Sequence, residues 1–170
     1  VEYEIPEIEK VSPEQVFSFI KNLKISIGDK EIMPHEHQFD AIHHAINKRR
    51  CLLLSPTGSG KSLIIYVLIR YYLSRLPEDK KILIIVPTTG LVTQLLSDFE
   101  QYSQLSSWNA KNNCHTIYSG KSKKTLKRVV ISTWQSLYRL PEKDFDDFGA
   151  VVGDECHLYK AKSLTGLLTK

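Results

Sequence analysis

The chain has 170 residues, is 42% apolar and carries a formal net charge of +4, which bounds it to one packed domain, or one domain with an extension. No run approaches the ~18 consecutive apolar residues of a membrane span, and the acidic start Val1–Lys10 is not a secretory leader. Cys51, Cys114 and Cys156 are few, odd in number and widely spaced, which proposes neither a disulfide framework nor a zinc site and suits a reducing cytoplasm.

Glu2, Glu4, Glu7, Glu9 and Glu14 against the single base Lys10 make the first fourteen residues acidic. The remainder is correspondingly basic, as a chain with a polyanionic partner would be. The first residue is Val rather than Met, which points to a chain that begins inside a longer protein. Val1–Val11 reads as an extended linker. Ser12-Pro13-Glu14 then opens a helix, with Ser12 as N-cap and Pro13 in the first turn. Val16, Phe17, Ile20 and Leu23 recur at helical spacing as far as about Lys24. Gly28-Asp29-Lys30, between Ile25-Ser26-Ile27 and Glu31-Ile32, predicts a small hairpin or turn.

Pro34–Asn47 is the second predicted helix, with Phe39, Ile42 and Ile46 on its buried face. His37, Asp40 and His44 share another face and have the composition of a two-histidine, one-carboxylate metal site. A solvated polar face opposite the apolar stripe accounts for them more simply. Cys51–Leu54 is a short apolar run that predicts a buried strand. Leu63–Ile69 continues an apolar helix to about Arg75, buried on more than one side. Ile82–Val86 is a second apolar strand, and Leu91–Tyr102 an amphipathic helix with Val92, Leu95, Leu96 and Phe99 inward. His115–Tyr118 and Val129–Thr133 are further strands, Trp134–Leu140 a short helix, and Ala150-Val151-Val152 begins the last strand. Continuous apolar strands alternating with helices predict a mostly parallel sheet covered on both faces.

Two motifs carry chemistry. Ser55-Pro56-Thr57-Gly58-Ser59-Gly60-Lys61-Ser62 lies between a predicted strand and a predicted helix, the context a phosphate-binding loop requires. Gly58 and Gly60 permit a tight turn that exposes backbone N–H groups to an anion. The helix N-terminus adds its partial positive charge at the same point. Lys61 would reach the β- and γ-phosphates, and the Ser62 hydroxyl would hold Mg²⁺. Ser55 departs from the usual pattern, which has glycine there. The second motif is Asp154-Glu155, at the end of an apolar strand. Ligands of α/β sheets gather at the carboxyl ends of strands, so the acids can converge with the loop. One acid would hold Mg²⁺ and the other would orient and deprotonate an attacking water. Taken alone, the acidic pair reads equally as a polar strand end.

Asp154-Glu155-Cys156-His157 resembles the DExH box of superfamily 2 helicases and translocases, and Ser55–Ser62 their motif I. Pro87–Gln94 is similar to motif Ia, Ile131–Ser136 to motif Ib, and Pro34–Ile42 to the segment that precedes motif I. Within the superfamily the likeness is to phage UvsW-type DNA helicases, through Ile84–Thr89, Thr133-Trp134-Gln135 and Asp154–Leu158. It covers roughly residues 20–170. The resemblance implies the first RecA-like lobe of an ATP- and Mg²⁺-dependent motor. Residues 1–33 would form an N-terminal extension, and 34–170 a lobe that stops before its motif III strand. It implies Gln38 on the adenine edge, and Pro56, Thr57, Gly58, Ser59, Gly60, Lys61 and Ser62 around the nucleotide. Asp154 and Ser62 would serve the metal, Glu155 would be the base, and His157 would couple nucleotide state to nucleic acid. Thr88, Thr89, Gly90 and Thr133 would touch the phosphodiester backbone, which hydroxyls and N–H groups grip without reading sequence.

DNA, branched or single-stranded, is the implied partner, with RNA left open. A second RecA-like lobe is expected in the same longer chain, and the host cytoplasm is the compartment for a phage-encoded protein. The motor of a restriction endonuclease and an ATP-gated nucleic-acid clamp that does not move are the alternative readings. Lys121, Lys123, Lys124, Lys127 and Arg128 form a basic cluster that reads as a solvated loop before a nucleic-acid contact. Residues 161–170 read as a further helix. With the motif III strand missing, Leu52–Leu54 and Val151–Gly153 should stand apart rather than pair with each other.

Overall fold

Leu and Ile side chains cover both faces of Lys81–Val86 (β3), and this strand becomes the centre of the sheet. In the computed structural model, which describes residues 9–48, 50–56, 58–118, 125–137 and 141–155, β3 is flanked by two parallel strands. Val129–Thr133 (β5) pairs on one side, in a register that sets Ile84 opposite Ile131 and Val86 opposite Thr133. Phe148–Gly153 (β6) pairs on the other, with Ile84 opposite Val152. Cys114–Ile117 (β4) extends the sheet beyond β5, giving the order β4-β5-β3-β6.

Because side chains alternate along a strand, Ile82, Ile84 and Val86 enter one apolar cluster, and Leu83 and Ile85 enter another on the opposite face. The first cluster is covered by Pro13–Asn22 (α1), Glu36–Ile46 (α2), Lys61–Leu73 (α3) and Thr89–Tyr102 (α4). The second is covered by Trp134–Leu137 (α5), with Trp134 and Leu137, and by Phe145 of the 3₁₀ turn Glu142–Phe145; the rest of the helix expected over Trp134–Leu140 lies outside the described residues. The α/β sheet with helical cover is the predicted fold class. Among the described residues no helix is long and apolar enough to cross a membrane.

Ser12 caps α1 in a capping box with Gln15, as its sequence requires. The helix ends sooner than predicted, because Lys24 turns left-handed at φ 50°. Phe17 stays half exposed while Val16 and Ile20 are fully buried. Ser26–Ile27 (β1) and Lys30–Glu31 (β2) form the predicted hairpin. Val11 is anchored rather than free: its N–H donates to Asn47 Oδ1 and its carbonyl accepts from Asn47 Nδ2. The segment before α2 is therefore part of the apolar cluster that covers the sheet, through Val16, Ile20, Leu23 and Ile25.

Cys51–Leu54 is not a strand. Leu52 is 71% and Leu54 90% exposed, and neither pairs with β6, whose ladder is with β3. Apolar composition signals a buried slot, but a strand forms only where a neighbour supplies ladder partners. None flanks this run among the described residues. On β6, whose side chains alternate between the two faces of the sheet, Ala150 and Val152 pack inward and Val151 is 46% exposed.

The basic cluster resolves into helix caps where it is described. Arg128 donates through Nε to the Lys80 carbonyl and through its Nη atoms to the carbonyls of Leu73, Leu76 and Pro77. A guanidinium at a helix C-terminus satisfies orphan carbonyls and complements the dipole. Lys127 Nζ does the same for Lys111 and Cys114, beside the one-turn helix Ala110–Asn113. Lys121, Lys123 and Lys124 lie outside the described residues, as do Thr57, Cys156, His157 and the expected helix over 161–170.

Candidate active site

Gly60 is the N-cap of α3, and it and Gly58 adopt the left-handed region, at φ 76° and 80°. Both glycines are therefore required by backbone conformation. They stand for different reasons, however. A Cβ on Gly58 would meet nothing, whereas one on Gly60 would overlap Gln38 Nε2. The loop is closed internally. Ser59 N–H donates to the Pro56 carbonyl (3.3 Å), and the Ser55 and Ser59 hydroxyls are bonded to each other. This bond gives the serine at the usual glycine position a structural task that the sequence pattern could not show.

Gln38 is buried on α2 and holds the loop in place. Its Nε2 donates to the Ser59 carbonyl (2.8 Å), and its Oε1 accepts from His35 N–H (2.9 Å) as part of the α2 capping box. Each end of the amide keeps one function, a second N–H and a second lone pair. That is the donor–acceptor pair an adenine edge needs. His37 Nε2 also approaches the Ser59 carbonyl, at 3.3 Å. His37, Asp40 and His44 are all exposed, and among the described residues they gather into no metal-binding group.

The sheet delivers the acids to this loop. Asp154 N–H donates to the Ile85 carbonyl (2.9 Å), continuing the β6 ladder one residue past the strand. The chain then turns sharply, with Glu155 at φ 51° and its N–H donating to Asp154 Oδ1 (2.9 Å). A non-glycine residue held left-handed is uncommon and concentrates at functional sites. The turn sends the Glu155 carboxylate onto Lys61 Nζ. Residues from opposite halves of the chain are thus in direct contact. The Glu155 carboxylate raises the Lys61 pKa, so the ammonium is fully charged. Burial raises the Asp154 pKa, opposed by the nearby Lys61 charge.

A half-buried carboxylate and a hydroxyl are hard oxygen donors of the kind Mg²⁺ takes alongside phosphate oxygens and water. Asp154 and Ser62 thus fit such an ion. Ser62 Oγ is 3.0 Å from Tyr102 OH, a contact with no signal in the sequence.

The residues expected at the nucleic acid divide. Thr88, Thr89 and Gly90 are exposed at the start of α4, where Thr88 accepts from Leu91 N–H as N-cap and keeps its own O–H to donate. Thr133 is at the adjacent strand end, opposite Val86, but it is only 4% exposed and bonded to Ser136 Oγ (2.9 Å). Its side chain is turned inward.

Residues 31–170 match the family described as "Type III restriction enzyme, res subunit". Over 173 aligned residues, 99% of this chain, 39% are identical to the ATP-dependent DNA helicase uvsW of Enterobacteria phage T4, and the match spans 33% of that protein. The crystal structure of the UvsW helicase from bacteriophage T4 superposes with a TM-score of 0.86 over 96% of this chain and 57% of that one. The yeast DEAD-box splicing factor Prp28, at 22% identity and a TM-score of 0.63, shares the fold, the match covering all of this chain and 43% of that one.

Proposed function

This chain belongs to the type III restriction enzyme res subunit family of superfamily 2 helicases, and on that footing we propose that it is the ATP-binding lobe of an ATP-dependent DNA helicase or translocase. The observation that carries the reading is the contact between Lys61 and Glu155. It unites the phosphate loop and the acidic strand end, the two halves of a nucleotide-hydrolysis site. Pro56, Thr57, Gly58, Ser59 and Gly60 would surround the phosphates, favoured by the loop's backbone N–H groups, proline's excepted, and by the helix dipole. On nucleotide binding, phosphate oxygens replace Glu155 as the partner of Lys61. Glu155 then orients the attacking water and takes its proton.

Ser62 and Asp154 hold Mg²⁺, which when bound offsets charge on the phosphates. Gln38 meets the adenine edge with the amide functions it has left. His157 couples the nucleotide to nucleic acid. Thr88, Thr89 and Gly90 form the backbone-binding edge at the carboxyl end of β3; the buried Thr133, at the end of β5, supports that edge rather than contacting the nucleic acid with its side chain.

Residues 1–33 act as an extension and 34–170 as the lobe. The chain spans about a third of the length of the curated helicase it matches, which leaves room for a second RecA-like lobe. We assign it to the cytoplasm, the host's for a phage-encoded chain. The restriction motor is the second reading, favoured by the family description.

The full-length protein tests this with labelled branched DNA, ATP and Mg²⁺. ATP-dependent strand displacement without cleavage is expected. Cleavage would favour the restriction motor, nucleotide-dependent binding without displacement a clamp, and preference for RNA would correct the substrate. A protein that binds no ATP would overturn the reading.

A further inference from the structure

Ser62 is the second residue of α3, and its hydroxyl faces α4 rather than standing alone at the loop. The group it meets is the phenol of Tyr102, the last residue of α4, 9% exposed. That ring is held by packing. The Tyr66 ring, one turn beyond Ser62, lies 5.5 Å from it, and Phe99 and Trp108 lie 5.4 and 6.0 Å from Tyr66. Arg70 completes the stack, donating to Tyr66 OH at 2.9 Å and lying 4.6 Å from the Trp108 ring centroid. The Tyr102 oxygen therefore has a fixed position relative to α3.

A serine hydroxyl has one proton and two lone pairs. When Ser62 donates its proton to Tyr102, both lone pairs are left free, on the side away from the phenol. A hydroxyl that gives electron density to a cation becomes a stronger donor, so the two interactions reinforce each other. We propose that Tyr102 is a positioning residue, whose phenol oxygen accepts the Ser62 proton and so orients the Ser62 lone pairs toward the divalent cation that accompanies the nucleotide. The proposal rests on the nucleotide site described above and assigns a role to a residue outside its recognised motifs.

Tyr102→Phe removes the oxygen and keeps the ring packing. The experiment measures binding of a fluorescent ATP analogue to the full chain as Mg²⁺ is titrated, and again in EDTA. Loss of one hydrogen bond of about 1 kcal/mol corresponds to roughly a fivefold rise in the Mg²⁺ concentration that half-saturates the effect. Affinity in EDTA should stay within about twofold of wild type. In a Ser62→Ala background, Tyr102→Phe should shift the Mg²⁺ dependence no further. An unchanged Mg²⁺ midpoint in Tyr102→Phe, an equal loss of affinity in EDTA, or an additive loss on top of Ser62→Ala would each overturn the proposal. A wild-type chain that binds the analogue with no response to Mg²⁺, or not at all, would instead overturn the nucleotide-site reading beneath it.

Discussion

Gly60→Ala separates backbone strain from steric conflict in the phosphate loop. At φ 76° an alanine costs about 1–2 kcal/mol relative to glycine, because its Cβ crowds the carbonyl in the left-handed region. The new Cβ would also lie well inside the 3.0 Å that such atoms tolerate from Gln38 Nε2. Gln38 must then swing away, losing its bond to the Ser59 carbonyl. Stranding a buried amide costs a further ~1–3 kcal/mol. Gly58→Ala, at a similar φ but with nothing within 4 Å, should show the first cost alone. Urea denaturation of the full chain should therefore rank Gly60→Ala below Gly58→Ala by about 1–3 kcal/mol. In a Gln38→Ala background, Gly60→Ala should fall back to the ~1–2 kcal/mol of backbone strain. A coupling under ~0.5 kcal/mol between positions 38 and 60, the range expected of independent sites, would refute the argument.

Three other perturbations test the site and its support. Glu155→Gln should leave ATP binding intact while turnover falls by on the order of 10²-fold or more, as for a lost general base; Lys61→Ala should weaken binding itself, and normal hydrolysis by Glu155→Gln would show the base to be elsewhere. Asp154 has its pKa raised chiefly by burial, against the opposing Lys61 charge. The folded state thus holds this proton more tightly than the unfolded chain, and the ionised form is a cost at neutral pH that fades as pH falls through the raised value. Asp154→Asn should accordingly raise the nucleotide-free melting temperature at neutral pH, with the gain shrinking in acid; a gain independent of pH would contradict this. Arg128→Ala, which abandons four carbonyls, should cost about 2–3 kcal/mol in urea denaturation and leave the salt dependence of DNA binding unchanged; a shallower salt slope would make Arg128 a phosphate contact instead.

What the sequence exposed was local. β3, β5, α3 and α4 announce themselves by apolar runs or helical periodicity, and the loop and acid pair by residue type and order. The one-turn helix at Ala110–Asn113 and the 3₁₀ turn at Glu142–Phe145 are too short to carry a period. Arg128 looked like part of a charge run because its four acceptors are backbone carbonyls, which no side-chain pattern encodes. Leu52–Leu54 misled for a related reason: its composition describes a place in a sheet, and the ladder that would create that place belongs to other residues. Gln38 was found through its likeness to a motif. Its grip on Ser59 and the meeting of Ser62 with Tyr102 depend on how helices pack, and spacing along one helix says nothing about the next.

The strand order also governs how the chain emerges from the ribosome. β3 is made early, yet its partners come late: Ile84 waits for Ile131 on one side and Val152 on the other. At roughly 5–20 residues per second, several seconds pass before the first ladder of the sheet can close. During that interval α3, with Leu63 through Ile69 all destined for burial, has only the earlier helices and the residues just behind it to cover its surface. Non-local parallel pairing is intrinsically slow, and an all-round apolar helix waiting for it is a surface that holding chaperones recognise. The contacts α3 makes with α2 through Ala45 and Tyr72 are available from the start. They can shelter one side of the helix while the other waits for β3 and the strands that follow.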